Sequence, residues 1–119
     1  MKYVDGFVLP LSKERVEEYR AIAATAAEIW KDHGALEYWE CAGDDLETDC
    51  SRTFTDMAGA KPEETVIFAW AVFESREARD AANEKIVADP RMANLMEKVG
   101  PLVDYARMAH GGFRAIVTS

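Results

Sequence analysis

The chain contains two histidines, the side-chain type that titrates near neutrality without perturbation. His110 directly precedes Gly111-Gly112, where backbone without side chains can admit a small ligand, and it is a candidate general base. A strand histidine hydrogen-bonded at a sheet edge or subunit seam is the plainer reading. His33 falls in the last turn of a helical segment, where positive charge is favoured without any function. Asp5 and Glu40 are carboxylates within otherwise apolar stretches. A buried carboxylate needs a partner or its pKa rises, and such groups serve as bases. Alternation puts Asp5 on one face with Tyr3 and Phe7, and Glu40 with Tyr38. Glu40 reads as an exposed edge carboxylate. Asp5 belongs to a strand expected at the centre of a sheet and is the second candidate base.

Trp39, Trp70 and Phe113 are candidates for stacking on a planar ligand, although aromatics on the strands of a small domain more often fill a core or an interface. Arg79, Asp80 and Asn83, followed by Asp89, Arg91 and Met92, form a polar cluster. It reads either as a hold for an anionic ligand or as a helix-end network in which Arg79 meets a carboxylate and Asp89 caps the next turn. The second needs fewer assumptions. Asp44, Asp45, Glu47 and Asp49 lack the spacing and distal Glu of an EF-hand loop and read as a solvated acidic loop. Cys41 and Cys50 fit neither a disulfide framework nor a zinc site, and nothing local offers Cys41 a base. Phosphate loops, the dinucleotide fingerprint, the GxSxG elbow and HExxH are all absent, so neither metal nor cofactor is expected.

These residues must be positioned by few elements. Tyr3–Leu11 reads as a strand closed by Pro10 and Ser12, with Gly6 a bulge or a point of close backbone approach. Ser12 reads as the N-cap of a helix running to about Asp32, because Val16, Tyr19, Ala23, Ala26, Ala27 and Trp30 recur at three- and four-residue spacing. Gly34 stops it. Leu36–Ala42 reads as a second strand, and Gly43–Pro62 as an irregular connection with a short element near Phe54–Met57. In Thr65–Glu74, Val66, Phe68, Trp70 and Val72 share one face, and Ile67, Ala69, Ala71 and Phe73 the other. A strand apolar on both faces must be central and covered on both sides. Ser75 then caps a helix with the stripe Ala78, Ala81, Ala82, Lys85 and Ile86, which ends near Asp89 before Pro90. Met92–Val99 adds a turn or two of helix, and Ala106–Val117 is the last strand, with a bulge or bend at Gly111-Gly112.

The order β-α-β-β-α-β is that of a ferredoxin-like α+β domain spanning residues 1–119, an antiparallel sheet with its helices on one face. An uncovered apolar sheet face is larger than soluble monomers usually tolerate. Phe7, Trp39, Trp70 and Phe113 are candidates for that face, and two such sheets meeting face to face give a homodimer with a cavity between them. Charge narrows the partners. The 14 Lys and Arg against 22 Asp and Glu leave a net charge of −8, and strand three carries no Lys or Arg, so RNA-recognition modules of the same element order are excluded. The longest apolar run, Val66–Phe73, is far below the roughly 20 residues of a membrane span. No basic segment followed by an apolar stretch opens the chain, so a cytoplasmic protein is expected.

Lys2-Tyr3-Val4-Asp5-Gly6-Phe7-Val8, Gly34-Ala35-Leu36 and Gly43-Asp44-Asp45 resemble the YbaA-like family of unknown function. So do Phe68-Ala69-Trp70, Arg79-Asp80-Ala81-Ala82-Asn83, Asp89-Pro90-Arg91-Met92 and Gly111-Gly112-Phe113, in the same order along the chain. The resemblance implies a dimeric α+β barrel, a superfamily that includes small monooxygenases, haem-degrading enzymes and isomerase-like proteins. It implies no reaction. Two readings of function follow. One is a homodimer that binds a small molecule without transforming it. The other is a cofactor-free oxygenase or isomerase-like enzyme, with Asp5 or His110 as base and Trp39 and Trp70 shaping the pocket.

Overall fold

The computed structural model describes residues Met1–Ser119. Four strands form one antiparallel sheet in the order β2-β3-β1-β4: β1 Tyr3–Ser12, β2 Glu37–Ala42, β3 Glu64–Phe73 and β4 Ala109–Arg114. The helices are α1 Val16–Asp32, α2 Phe54–Ala58, α3 Arg76–Ala88 and α4 Pro90–Val99. This is the ferredoxin-like α+β fold. The two strands richest in apolar residues, β1 and β3, take the centre and pair from Tyr3 opposite Phe73 to Ser12 opposite Glu64.

Register separates the faces. Tyr3, Asp5, Phe7, Leu9 and Leu11 share the helix face with Phe73, Ala71, Ala69, Ile67 and Thr65. Val4, Gly6, Val8 and Pro10 share the other with Val72, Trp70, Phe68 and Val66. On the helix face the core has two buried clusters, one around Ile22, Ile29, Phe73, Ile86 and Leu95, the other around Leu9, Leu11, Ile67 and Val103. α2 lies at the β1–β3 end of the open face, where the Phe54 ring packs 5.8 Å from Phe68. Trp39 (51% exposed), Phe68 (42%) and Phe113 (63%) leave the rest of that face apolar and accessible to water.

Several local expectations need correction. Ser12 makes no capping bond, because one turn of 3-10 helix, Lys13–Arg15, stands between it and α1. On α3 only Ala82 and Ile86 are buried, while Ala81 and Lys85 face water, so the helix turns a narrower stripe inward than its alanines suggest. The β1–β4 register runs unbroken through Asp5–Gly112 and Gly6–Gly111, so neither Gly6 nor Gly111-Gly112 forms a bulge. Gly112 is instead a close approach. A Cβ there would lie 2.6 Å from Tyr3 Cε2 and 2.9 Å from Arg79 Nη1. Gly6 carries no such constraint, since a Cβ there meets Phe113 at an ordinary 3.5 Å. A separate helix of ten residues starts at Pro90 itself, two residues before Met92, with the Asp89 side chain accepting from the Arg91 N–H. No helix is long and apolar enough to cross a membrane.

Candidate functional site

Where the two core clusters meet, sheet and helices do not close on each other. Ala23 and Ala26 of α1 face Ala69 of β3, and three small side chains leave a cavity of about 130 Å³. Met92, Leu95, Met96 and Val99 of α4 and Tyr105 and Met108 of the following loop complete its walls. Among the lining residues Glu40 alone carries a charge. An engineered apolar cavity of about 150 Å³ takes up benzene, so this one, slightly smaller but open on one side, is of single-ring size.

Glu40 reaches the cavity because β2 alternation turns it and Tyr38 to the helix face, opposite Ala69 and Ala71. Tyr19, on the inward stripe of α1, donates its hydroxyl to Glu40 Oε1 at 2.5 Å, and Tyr38 donates to Oε2 at 2.6 Å. Glu40 therefore does lie on an edge strand, but as a half-buried, doubly bonded carboxylate and not an exposed one. Burial first, and the Glu40 charge second, hold both phenols well above their ordinary titration range, so they stay protonated donors. Each carboxylate oxygen has lone-pair capacity for a further donor, which leaves Glu40 able to accept a hydrogen bond, or a proton, from a ligand.

Asp5 and His110 lie elsewhere on the helix face, in a separate polar cleft with Arg79, Asn83 and Gly111. Arg79 Nη1 donates to Asp5 Oδ1 at 2.7 Å, its Nε donates to Asp80 at 2.8 Å, and its guanidinium sits over the Tyr3 ring. Burial raises the Asp5 pKa and the Arg79 charge opposes the rise, as in a structural ion pair. His110 is exposed and meets Phe7 edge to face at 5.8 Å. Phe7 and Trp30 line both spaces and form the wall between them. His33, at the end of α1, bonds Asp89 at 2.8 Å, which Arg91 also holds.

Trp39, Trp70 and Phe113 come together on the opposite, open face. Trp39 stacks on Trp70 with centroids 5.7 Å apart, and Phe68 meets Trp70 edge to face at 5.4 Å. Asp44, Asp45, Glu47 and Asp49 are exposed, and no group of three or more His, Cys, Asp or Glu is placed to hold a metal ion. Tyr19 and Tyr38 line the cavity and hold Glu40, a part that the sequence does not announce. The available signal was an inward-facing phenol on α1 and another beside a strand carboxylate, since a buried Tyr hydroxyl seeks an acceptor.

The family model described as "Protein of unknown function (DUF1428)" matches residues 2–103. The chain is 40% identical over 117 residues to "Uncharacterized protein YbaA" of Escherichia coli (strain K12), covering 98% of each. Similar solved structures include an uncharacterized NIPSNAP domain protein from Burkholderia xenovorans, with TM-score 0.62, 13% identity and coverage of 98% of this chain and 99% of that one. Another is SnoaB, a cofactor-independent oxygenase from Streptomyces nogalater, with TM-score 0.62, 17% identity and coverage of 99% and 97%. At such identities the structures share a fold, and fold alone carries no function. The chain belongs to the DUF1428 family.

Proposed function

We propose that this member of the DUF1428 family binds a small, single-ring molecule in the cavity between its sheet and its helices, with Glu40 accepting a hydrogen bond from the ligand's hydroxyl. The observation that carries the reading is one carboxylate acceptor, fixed by two tyrosines, in an otherwise apolar space of ring size. Apolar walls supply affinity by burying the ring, and a few placed polar groups supply orientation. The protein does this as a cytoplasmic homodimer. Free, exposed Cys41 and Cys50 suit a reducing compartment, and the open aromatic face suits a second copy of the sheet. On this reading Trp39, Trp70 and Phe113 serve pairing, and the binding cavity lies within one chain instead of between two sheets.

Titration calorimetry with 4-ethylphenol tests the reading. The wild-type chain binds it, Ala26→Leu fills the cavity and abolishes binding, and Glu40→Gln weakens binding about tenfold by removing a charged acceptor. His110→Ala, in the neighbouring cleft, leaves binding unchanged. Equal binding by wild type and Ala26→Leu, with both chains folded, overturns the assignment of the cavity.

A second reading follows from the solitary carboxylate. Glu40, in place of Asp5 or His110, would take the phenolic proton and leave an electron-rich ring open to dioxygen. The net change balances as phenol plus dioxygen giving quinone plus water. Oxygen consumption by wild type and its loss in Glu40→Gln would favour an oxygenase. Binding without consumption favours the binder.

A further inference from the structure

The polar cleft beside the cavity holds a buried carboxylate that its surroundings leave half satisfied. The Asp5 side chain is only 9% exposed; its Oδ1 accepts from Arg79 Nη1 at 2.7 Å, while Oδ2 has no hydrogen-bond partner in the protein. That oxygen is not sealed from solvent, since the Trp30 indole nitrogen is the only sealed side-chain polar atom without a partner. Asp5 lines the cleft, so the free lone pairs of Oδ2 open into it. Burial outweighs Arg79 and keeps the Asp5 pKa above its ordinary value, the sign of a buried charge that one guanidinium does not fully compensate. Arg79 has little more to give, because its Nε donates to Asp80 and its Nη2 to the Tyr3 hydroxyl. Asn83, half-buried on α3, and His110 on β4 line the same cleft with no hydrogen-bond partner in the protein. Phe7 and Trp30 supply its apolar wall, and Gly111 brings no side chain to narrow its volume of about 270 Å³.

We propose that this cleft is a second binding site and takes a small organic cation, whose primary ammonium donates to Asp5 Oδ2 and to the Asn83 carboxamide oxygen. An ammonium carries three donors and no acceptor, which matches the acceptors left open by a carboxylate, an amide and a neutral imidazole. The Asp5 charge turns an anion away. A hydrogen bond with a charged partner is roughly twice as strong as a neutral one, so Asp5 favours the ammonium over an alcohol of the same shape. A ring or short chain on that nitrogen rests against Phe7 and Trp30. The Glu40 cavity lies beyond the wall formed by those two rings, so the two sites fill independently.

The probes are benzylamine, benzyl alcohol and benzoate, which share a ring and a short polar arm that is positive, neutral or negative. The chain holds two asparagines, Asn83 and Asn94, and no glutamine, so its side-chain amide ¹⁵N–¹H spectrum has two pairs, which Asn94→Ala assigns. Benzylamine should move the Asn83 pair in the wild-type chain and equally in Ala26→Leu, whose Glu40 cavity is filled. Calorimetry should give benzylamine an affinity about tenfold above that of benzyl alcohol or benzoate, and Asp5→Asn should lose that preference. Because Asp5→Asn leaves Arg79 without its partner, Asn83→Leu serves as the second variant. It occupies the cleft, breaks no hydrogen bond within the protein, and should abolish benzylamine binding. A preference for benzoate, or equal binding of all three probes, overturns the cation assignment. An Asn83 pair that benzylamine leaves in place, or benzylamine binding that Ala26→Leu abolishes or Asn83→Leu leaves unchanged, overturns the cleft as the site.

Discussion

Arg107 ties its own loop to the segment from Gly59 to Glu64, more than 40 residues earlier in the chain. Its Nη1 and Nη2 donate to both oxygens of Glu64 at 2.8 and 2.9 Å, Nη1 also donates to the Gly59 carbonyl, and Nε donates to Asp104. Bidentate pairing of this kind adds geometric definition as well as energy. It fastens the loop that brings Tyr105 and Met108 to the cavity, so a part-buried ion pair at the start of β3 supports the cavity wall on the helix face. The Arg107 hydrogen bonds, and then the Lys61 backbone N–H, lower the Glu64 pKa from 4.5 to about 2. A depressed carboxylate pKa stabilises the fold fully above the unfolded value, and that contribution fades as pH falls from about 4.5 toward 2. Glu64→Gln should therefore lose about 1 kcal/mol at pH 7, allowing for solvent screening, and differ progressively less from wild type at lower pH. Urea denaturation at pH 7, 5 and 3.5 checks this. A deficit that stays constant across the three would mean that the ion pair does not account for the difference.

The two serines read as helix caps make a second contrast, between elements. Ser75 accepts from the Ala78 N–H and starts α3, whereas Ser12 leads into a 3-10 turn without bonding any helix N–H. Ser75→Ala should destabilise the chain by about 1 kcal/mol and Ser12→Ala by much less, measured as thermal shifts of the two variants. Both serines look alike in sequence, and only the local path of the chain separates them. Periodicity was enough to place α1 and β3, because those signals are local: three-four spacing, alternation, and caps within a few residues; the central place of β1 and β3 followed from the order of elements. Alternation also grouped Glu40 with Tyr38 correctly. It could not say which face of a doubly apolar sheet the helices cover, since Ile67-Ala69-Ala71-Phe73 and Val66-Phe68-Trp70-Val72 are equally apolar. What makes Glu40 a cavity residue is Tyr19 from another element, and what occupies Asp5 is Arg79, 74 residues away. The cavity itself depends on alanines from α1 and β3 meeting across space, and no sequence spacing records that.

At the scale of the whole molecule the unresolved demand is the open sheet face. Trp39, Trp70, Phe68 and Phe113 lie together there, joined at its end by Phe54, with α2 covering only one corner. Isolated apolar side chains on a surface need no explanation, but a contiguous aromatic layer on a central strand does. A second copy of the same sheet meets that demand, because a two-fold interface pairs a patch with itself and a standard interface needs about 800 Å² from each partner. Native mass spectrometry should then show twice the 13.3 kDa chain mass, and Phe68→Glu, which puts a charge in the middle of the layer, should give a monomer. The cavity lies on the far side of the sheet, so the monomeric variant should still bind 4-ethylphenol with an affinity close to that of wild type. A wild-type chain that is monomeric at micromolar concentration would remove the dimer and leave the cavity untouched. Loss of ligand binding on dissociation would mean instead that the second subunit stiffens the β3 wall that Glu40 and Tyr38 pack beside.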